Sequence, residues 1–359
     1  MKNTFVSRGL YCLGLMLFTP TLYAASLIQK DAVMVKTLFS KTKPQCVGIY
    51  RVDVPESFKN GTNKATYDDF KIESQFIYPP AFKQRIELRE QELNEAMSRP
   101  ENEPENAPFI KEIIRLPNNQ GVIFDKNKDG SDDIYRQLEA HIYLNHIAFI
   151  ITTDFRDFSD KKHEKRKSQY LARGFTEVQS NQKPVKLAAM RSLISRLQGR
   201  LDHDIPTEKG VCIPNGFIAE DGGKHKIVIG FSYENDDFLL GINSDNTMIA
   251  DGDTLFGRSG DINDALKDSY MKSLKKEALT LNDIPAETWL FGGIQTYRQK
   301  TLQVYDFLLY ANEAVATTVK PLITIGINSE YKQTRYSEAQ MVEIWDRIVG
   351  SLRYKPNAF

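Results

Sequence analysis

Apolar positions in the first half of the chain follow two periods, that of a strand and that of a helix. VGIYRVDV (47–54) and FKIESQFIY (70–78) alternate as strands do, with every second side chain facing the same way. Over residues 81–97, and again over residues 185–201, apolar residues recur every three or four positions, as on one face of a helix. A sheet is expected over residues 110–153. Because strands and helices come in blocks, the pattern predicts the α+β class.

The second half of the chain is also predicted to contain both strands and helices, and it ends in a helix. Ser337, with Gln340 three residues later, has the spacing of a capping box. DHDIPTEKGVC (202–212) is interpreted as a connection. We therefore predict an N-terminal α+β lobe over residues 25–204 and a C-terminal α+β lobe over residues 205–359, each an antiparallel-rich sheet with packed helices. Strands are expected at 215–219, 226–233, 238–244, 289–295, 304–311 and 322–327, and the buried stripe of the last helix at Met341, Val342, Trp345, Ile348, Val349 and Leu352.

The first 24 residues have the pattern of an export signal. Lys2 and Arg8 precede an apolar run over residues 9–18, and Leu22-Tyr23-Ala24 forms a cleavage site. The run is shorter than the roughly 20 residues that span a bilayer as a helix. The sequence therefore predicts cleavage near Ala24, a periplasmic mature protein and no stable insertion into the membrane.

Composition and charge describe an ordinary globular surface. Formal net charge is zero, 26% of residues are charged, and the mean hydropathy is −0.42. Binding to nucleic acid is not expected, because no basic stripe runs along the chain. The basic run KKHEKRK (161–167) is interrupted by Glu164 and has no apolar face beside it. We interpret it as a solvated helix start, with contact to anionic lipid as the alternative.

Two cysteines remain after the export signal, Cys46 and Cys212. An even count in an oxidising compartment favours a disulfide between them. Such a bond would join the start of the folded chain to its midpoint. The alternative is a pair of buried free thiols.

DKNKDGSDD (125–133) matches the calcium-binding loop of an EF-hand at several positions. Arg136, however, stands where the EF-hand pattern requires a bidentate glutamate, and no flanking helices are evident. Asp129-Gly130 is a common hairpin turn, because both residues tolerate positive φ. We favour a solvated β-hairpin tip and keep a weak calcium site as the alternative. Its candidate ligands are Asp125, Asn127, Asp129 and Asp133.

Motifs of catalysis are missing from the sequence. The five histidines have no metal-ligand spacing. GRSGD (257–261) lacks the final glycine of a nucleophile elbow. Asp202-His203-Asp204 is an acid–base cluster, but adjacent side chains in a loop point apart. We expect no catalytic residues and no cofactor, which favours a binding protein over an enzyme.

Three stretches resemble one family of immunity proteins of the type VI secretion system, which neutralise phospholipase effectors of the fourth lipase class. The stretches are CVGIYRVDVP (46–55), IPTEKGVCIPNGFI (205–218) and EIWDRIVGSLRYKPNAF (343–359). The matching positions are Cys46, Gly48, Tyr50, Asp53, Pro55, Ile205 to Glu208, Gly210, Cys212, Gly216 to Ile218, Trp345, Asp346, Ser351, Arg353 and Pro356. The departures from the pattern usual in that family are Ile49 for arginine, Lys209 for proline, Val211 for phenylalanine, Asn215 for glycine and Lys355 for arginine.

The resemblance implies a two-lobed, claw-like periplasmic protein that grips a lipase effector, is monomeric when free and has no enzymatic activity of its own. Contacts with the effector are expected from loops at the lobe edges, with ENEPEN (101–106) as a further candidate. Two alternatives remain, a secreted hydrolase with a site built from scattered acids and a calcium-dependent binding module. The candidate contact residues are Asp132, Asp133, Asp236 and Asp237.

Overall fold

The computed structural model describes residues 33–359, so the predicted export signal over residues 1–24 lies outside the described residues. Antiparallel strands and helices come in blocks over this range, which confirms the α+β class. None of the helices described is both long enough and apolar enough to cross a membrane.

The N-terminal lobe is a meander of long strands with helices packed against it. Prolines at the first two positions of the helix at 79–94 favour its start, since their missing N–H groups need no partner there. The helices are α1 (residues 33–38), α2 (Pro79–Asn94), α3 (Glu164–Ala172), α4 (Glu177–Ser180) and α5 (Lys183–Arg196). The strands are β1 (Thr42–Val47), β2 (Tyr50–Pro55), β3 (Lys59–Asn60), β4 (Lys64–Tyr67), β5 (Phe70–Phe76), β6 (Ile110–Arg115), β7 (Gly121–Asn127), β8 (Tyr135–Leu144), β9 (Ile147–Arg156) and β10 (Leu197–Gly199).

The C-terminal lobe is built mainly from long antiparallel strands. Its helices are α6 (Ser259–Asp268) and α7 (Glu338–Gly350). Its strands are β11 (Gly210–Ile213), β12 (Gly216–Ala219), β13 (Ile227–Glu234), β14 (Leu239–Asp245), β15 (Met271–Leu281), β16 (Ile284–Tyr297), β17 (Lys300–Ala311), β18 (Leu322–Asn328) and β19 (Arg353–Tyr354).

The sheets of the two lobes are joined edge to edge. The strand order is β15-β16-β17-β18-β14-β13-β4-β5-β9-β8-β7-β6, and β3 also pairs with β13. The junction is the antiparallel pair β4–β13, in which Tyr67 lies opposite Ile227 and Ala65 opposite Ile229. Backbone hydrogen bonds therefore cross from one lobe to the other. A boundary between residues 204 and 205 stays a prediction, and the sequence did not indicate this joined sheet.

Helix α7 closes the core as its apolar pattern predicted. The Ser337 side chain accepts a hydrogen bond from the backbone N–H of Gln340, and the Gln340 side chain accepts one from the N–H of Ser337. Trp345 is fully buried, and its indole N–H donates to Thr288 Oγ1 at 3.1 Å. Val342, expected in the buried stripe, is only partly buried, while Ile344 is fully buried.

The prediction missed several elements, among them helix α6 and strand β15, and misplaced the end of helix α5. Helix α5 ends at Arg196, and the chain continues directly into β10, so the predicted helical end at Leu201 lies five residues too far along the chain. Strand β15 was not predicted, because its sequence MKSLKKEALTL contains three lysines and a glutamate. As the outermost strand of the sheet, β15 exposes these side chains to water, which suits an edge strand.

A second joint between the lobes lies where β1 meets β11. Gly48 and Cys212 exchange two backbone hydrogen bonds, at 2.9 and 2.8 Å. Cys46 and Cys212 form a disulfide across a separation of 166 residues, which confirms the predicted bond. We call this joint the seam and define it as residues 46–48, 200–202 and 210–216.

Arg200 fills the centre of the seam. Its side chain is buried, and carbonyl oxygens surround the guanidinium. Charged groups are costly to bury unless their hydrogen-bonding atoms find partners, so this arrangement fixes the backbone segments around the cation. The carbonyl oxygens within 2.8–3.3 Å of the guanidinium belong to Cys46, Leu201, Asp204, Ile213 and Gly216.

Replacing Cys46 and Cys212 together by alanine should lower the free energy of unfolding by about 4 kcal/mol, because the unfolded chain loses a constraint on a very long loop. Urea unfolding of the purified mature protein measures the difference. Reducing agent should destabilise the native chain by a similar amount and leave the double variant unchanged. A loss below about 1 kcal/mol would contradict this role for the disulfide.

Candidate functional site

An apolar cleft of about 370 Å³ opens beside the seam and is lined by both lobes. Tyr67 and Ile49 come from the N-terminal lobe, whereas Ile218, Val319 and Phe359 come from the C-terminal lobe. The volume falls within the range of ordinary ligand pockets, about 300–1,000 Å³. The joined lobes thus create a concave apolar surface that neither lobe contains alone.

Glycines keep one side of the cleft free of side chains. Gly48 has a φ of +61°, and a Cβ there would lie 2.7 Å from Ser244 Oγ. Gly210 has a φ of +144°, and a Cβ there would overlap the carbonyl oxygen of Ile218. Both positions require glycine for conformation and for space.

His225 stands at the rim of the cleft between two carboxylates. Its Nδ1 lies 2.8 Å from Asp68 Oδ2, and its Nε2 lies 2.9 Å from Asp221 Oδ1. Asp68 belongs to the N-terminal lobe and Asp221 to the C-terminal lobe, so the imidazole links the two. The ring also packs on Tyr67, with 4.5 Å between the ring centroids. Arg196 completes the group, 3.1 Å from Asp221.

The electrostatics of this group favour the charged imidazolium. Burial alone lowers the pKa of His225, but the hydrogen bonds to Asp68 and Asp221 outweigh burial and raise the pKa above its ordinary value. The hydrogen bond from His225 is in turn the largest of the effects that lower the pKa of Asp221. Since both ring nitrogens are engaged, His225 acts as an ionic link between the lobes.

The DKNKDGSDD segment forms the predicted hairpin between β7 and β8, but it is less solvated than predicted, because residues 125–127 are buried in β7 and only residues 128–130 are exposed. Asp125 lies buried in β7, where Arg136 binds both of its carboxylate oxygens and Lys183 Nζ lies 2.7 Å from Oδ2. The Asn127 side chain donates to the carbonyl oxygen of Asn106 at 2.8 Å. Two of the four candidate calcium ligands, Asp125 and Asn127, are thus already bonded to other groups of the protein.

The other two candidate calcium ligands also face cations. Asp129 lies 3.7 Å from Arg99. Asp133 is buried and accepts hydrogen bonds from Lys111 at 3.0 Å, Lys162 at 2.8 Å and His163 at 2.7 Å. This geometry is against the calcium alternative, because the ammonium groups would repel Ca²⁺.

The negative charge of Asp133 is neutralised by neighbouring cationic side chains of the protein. Burial alone would raise its pKa, but hydrogen bonds from Lys162, Lys111 and His163 lower the pKa to about 2. Among the described residues, Asp132, Asp133 and His163 are the group whose ligand atoms all lie within 4.8 Å of one another. With two lysines already on Asp133, the group works as an ion-pair cluster.

The basic run KKHEKRK has a structural role that the sequence did not reveal. It forms a 3₁₀ turn (Lys161–His163) and the start of α3, as a helix start was expected to do. His163, however, is buried, and Lys162 and Arg166 bind the acidic hairpin. The run is therefore less solvated than predicted, because it neutralises residues 132 and 133.

The predicted contact residues divide into buried and accessible ones. Asp133 is buried in its ion pairs. Asp237 is also buried, and its carboxylate accepts hydrogen bonds from the backbone N–H and the Nε of Arg335, at 2.9 and 3.0 Å. Asp132 is half-buried and paired with Arg166, while Asp236 is exposed. As partner contacts, Asp132 and Asp236 stay predictions, whereas Asp133 and Asp237 hold their loops in place.

Both halves of the chain match models of one protein family. Residues 43–200 match the N-terminal domain of Tle cognate immunity protein 4, and residues 204–357 match its C-terminal domain. The chain belongs to the Tle cognate immunity protein 4 family. This confirms the resemblance carried by the three sequence stretches. No protein with a curated description matches the chain in sequence.

Solved structures of immunity proteins share the fold of this family member. The apo immunity protein TplEi of the type VI secretion system from Pseudomonas aeruginosa has a TM-score of 0.65 and 17% identity, covering 88% of this chain and 97% of that one. A Tle4–Tli4 complex gives a TM-score of 0.64 at 18% identity, covering 88% and 98%. TplEi complexed with the "L" peptide gives 0.61 at 17%, covering 88% and 99%. At these identities the likeness shows the fold alone.

The residues that indicated the family are mostly structural. Gly48 and Cys212 hold the seam, and Asp53 binds Arg353 through both carboxylate oxygens, at 3.1 and 2.9 Å. Lys355, one of the departures within the resembling stretches, donates to the carbonyl oxygen of Glu208 at 2.6 Å. The sequence did not indicate the His225 group, because its partner Asp68 is 157 residues away.

Replacing His225 by glutamine should destabilise the protein more at pH 6 than at pH 9. A raised folded-state pKa contributes stability below the ordinary value of about 6.5, and this contribution disappears as pH rises through the folded-state pKa. Urea unfolding of both proteins at the two pH values measures the change. Asp68→Asn should remove part of the same pH dependence. An equal difference at pH 6 and pH 9 would contradict the ionic link.

Proposed function

We propose that this chain is a periplasmic immunity protein that binds and inhibits a phospholipase effector of the type VI secretion system. The match of both halves to the Tle cognate immunity protein 4 family carries the proposal. The likeness in fold to a Tle4–Tli4 complex supports it. The producing cell would be protected because its own membrane lipids are not hydrolysed.

Two observations support the periplasm as the compartment. The disulfide between Cys46 and Cys212 needs an oxidising environment to form and persist. Residues 1–24 also have the pattern of an export signal. An inhibitor in this compartment meets the effector before the effector reaches its lipid substrate.

The protein acts by binding, without catalysis of its own. Tight binding needs a surface that is already ordered, because ordering flexible segments on association reduces affinity. The joined sheet, the seam and the His225 link hold the two lobes in one arrangement. The cleft between them gives an apolar side chain of the effector a place to be buried.

Co-expression with a candidate phospholipase effector of the type VI secretion system tests the function. The chain should rescue cells from periplasmic phospholipase toxicity and should purify as a complex with the effector. The same chain without residues 1–24 should not rescue, because it stays in the cytoplasm. Neither complex nor rescue with the full chain would overturn the proposal.

Charge reversal at the accessible acids tests the predicted loop contacts. Asp132→Lys and Asp236→Lys should each weaken effector binding by about tenfold, mainly through slower association, because charges at an interface rim steer the encounter. Surface-immobilised effector gives the rates, and added salt should shrink the effect.

A matched control is Glu87→Lys on α2, another exposed acid with a single ion pair, at 3.8 Å to Lys83. This variant should bind as the native chain does. Equal losses for Glu87→Lys and for the two loop variants would remove Asp132 and Asp236 from the contact surface.

A further inference from the structure

One arginine of the N-terminal sheet lies between two tyrosine rings. Arg156 stands opposite Tyr135 in the β8–β9 ladder, so both side chains leave the same face of the sheet. The guanidinium carbon of Arg156 lies 5.7 Å from the centroid of the Tyr135 ring and 4.9 Å from that of the Tyr170 ring on α3. Both distances fall within the range of cation–π contacts. We call Tyr135, Arg156 and Tyr170 the tyrosine–arginine site.

Packing and hydrogen bonds hold this site in place. The Tyr170 ring stacks on Phe175, with 4.0 Å between the ring centroids, and the Tyr170 hydroxyl accepts a hydrogen bond from Nη1 of Arg156. The backbone N–H of Tyr135 donates to the carbonyl oxygen of Asp132 at 2.9 Å, which fixes Tyr135 against the hairpin turn. The guanidinium is therefore already oriented when a partner arrives.

Most N–H groups of Arg156 are free to bind a partner. An arginine side chain carries five N–H donors. Within residues 33–359, the guanidinium donates to Tyr170 and has no carboxylate oxygen within 4.0 Å. The side chain is half-buried, and none of its nitrogen atoms is both buried and without a partner, so the free N–H groups reach solvent. A planar guanidinium with free N–H groups binds the two oxygens of a carboxylate side by side.

The acids next to Arg156 in sequence are already paired with other cations. Asp154, two residues earlier on β9, binds Lys128 at 2.6 Å. Asp157, the next residue, binds Arg136, whose side chain leaves the other face of the sheet from Tyr135. Arg156 thus adds a positive charge that neither neighbouring acid neutralises. A carboxylate from outside the chain is the partner that this arginine lacks.

The tyrosine–arginine site adjoins Asp132, one of the predicted contact residues. Asp132 pairs with Arg166, and Arg166 and Tyr170 lie four residues apart, on the same face of α3. On the other side of the site, the hairpin hydrogen bond joins Asp132 to Tyr135. The hairpin and α3 therefore form one continuous surface around Arg156.

A protein partner fits this surface better than an anionic membrane does. Asp154 is exposed and Asp132 is half-buried, so a membrane that reached Arg156 would bring its anionic headgroups close to both carboxylates. Tyrosine and arginine are enriched among the residues that contribute most to binding in protein interfaces. One unpaired cation between two rings matches a single carboxylate side chain of a folded partner.

We propose that the tyrosine–arginine site is a contact point for the effector, which places the carboxylate of an aspartate or glutamate on Arg156. This inference rests on the proposed function, because it names where, and through which chemistry, the same partner binds. The two rings restrict the guanidinium before binding, so little side-chain freedom is lost when the carboxylate arrives.

Replacing Arg156 by glutamine removes the charge and keeps a polar side chain. Arg156→Gln should weaken binding of a catalytically inactive effector at least about tenfold, as expected for an arginine at an interface centre. Arg156→Lys should recover only part of the affinity, because an ammonium group lacks the planar fork that fits a carboxylate. Titration calorimetry with the full mature chain measures the affinities. Added salt should weaken binding of the native chain more than that of Arg156→Gln, which a purely structural role would not produce.

A second variant and a matched control separate binding from folding. Tyr135→Thr removes one of the two rings and should also weaken binding, while threonine suits a strand. The control is Arg191→Gln, which removes another exposed arginine without a carboxylate oxygen within 4.0 Å inside the described range, on α5 beside Pro117. This variant should bind as the native chain does. Urea midpoints show which variants are folded, and Tyr135→Thr decides if Arg156→Gln is not.

The outcomes distinguish this inference from the proposed function. If the native chain does not bind the effector, the proposed function fails and the inference falls with it. If the native chain binds, and the folded variants of the tyrosine–arginine site bind as tightly as Arg191→Gln, the inference is overturned while the function stands. Vesicles of phosphatidylethanolamine and phosphatidylglycerol form the last arm. Vesicle binding lost in Arg156→Gln, with unchanged effector affinity, would also overturn the inference.

Discussion

The disulfide between Cys46 and Cys212 fixes where the two halves of the chain meet. It brings together two segments 166 residues apart, and the Gly48–Cys212 backbone pair and the Arg200 guanidinium tie their carbonyl oxygens into one buried network. A disulfide alone would leave the lobes free to rotate about it. Because backbone pairing and a buried cation act at the same place, the segments that meet there have one arrangement.

Further contacts between the lobes lie outside the seam and surround the apolar cleft. The β4–β13 pair continues the sheet from one lobe into the other, and the His225 link adds an ionic contact between Asp68 and Asp221. The apolar cleft is the space that these connections leave open. A protein that inhibits by binding alone needs this rigidity, since each degree of freedom lost on association reduces the affinity.

Local features could be predicted from the sequence, and long-range ones could not. The capping box of Ser337 and the hairpin around Asp129-Gly130 depend on neighbouring residues, so their patterns were sufficient. The disulfide followed from cysteine count and compartment. An acid in a turn, by contrast, has the same pattern whether it is exposed, like Asp236, or buried in an ion pair, like Asp237. Which cations meet the acidic hairpin depends on the packing of distant segments, such as residues 161–167 and Lys183, and no local pattern contains this information.

We infer that the effector binds to a frame that the seam holds rigid. The most direct test is the affinity of the disulfide-bonded chain and of the Cys46→Ala/Cys212→Ala variant for the effector, at a temperature where both are fully folded. The variant should bind more weakly, with a less favourable binding entropy, because its lobes must be ordered on association. Equal affinity and equal entropy would contradict it.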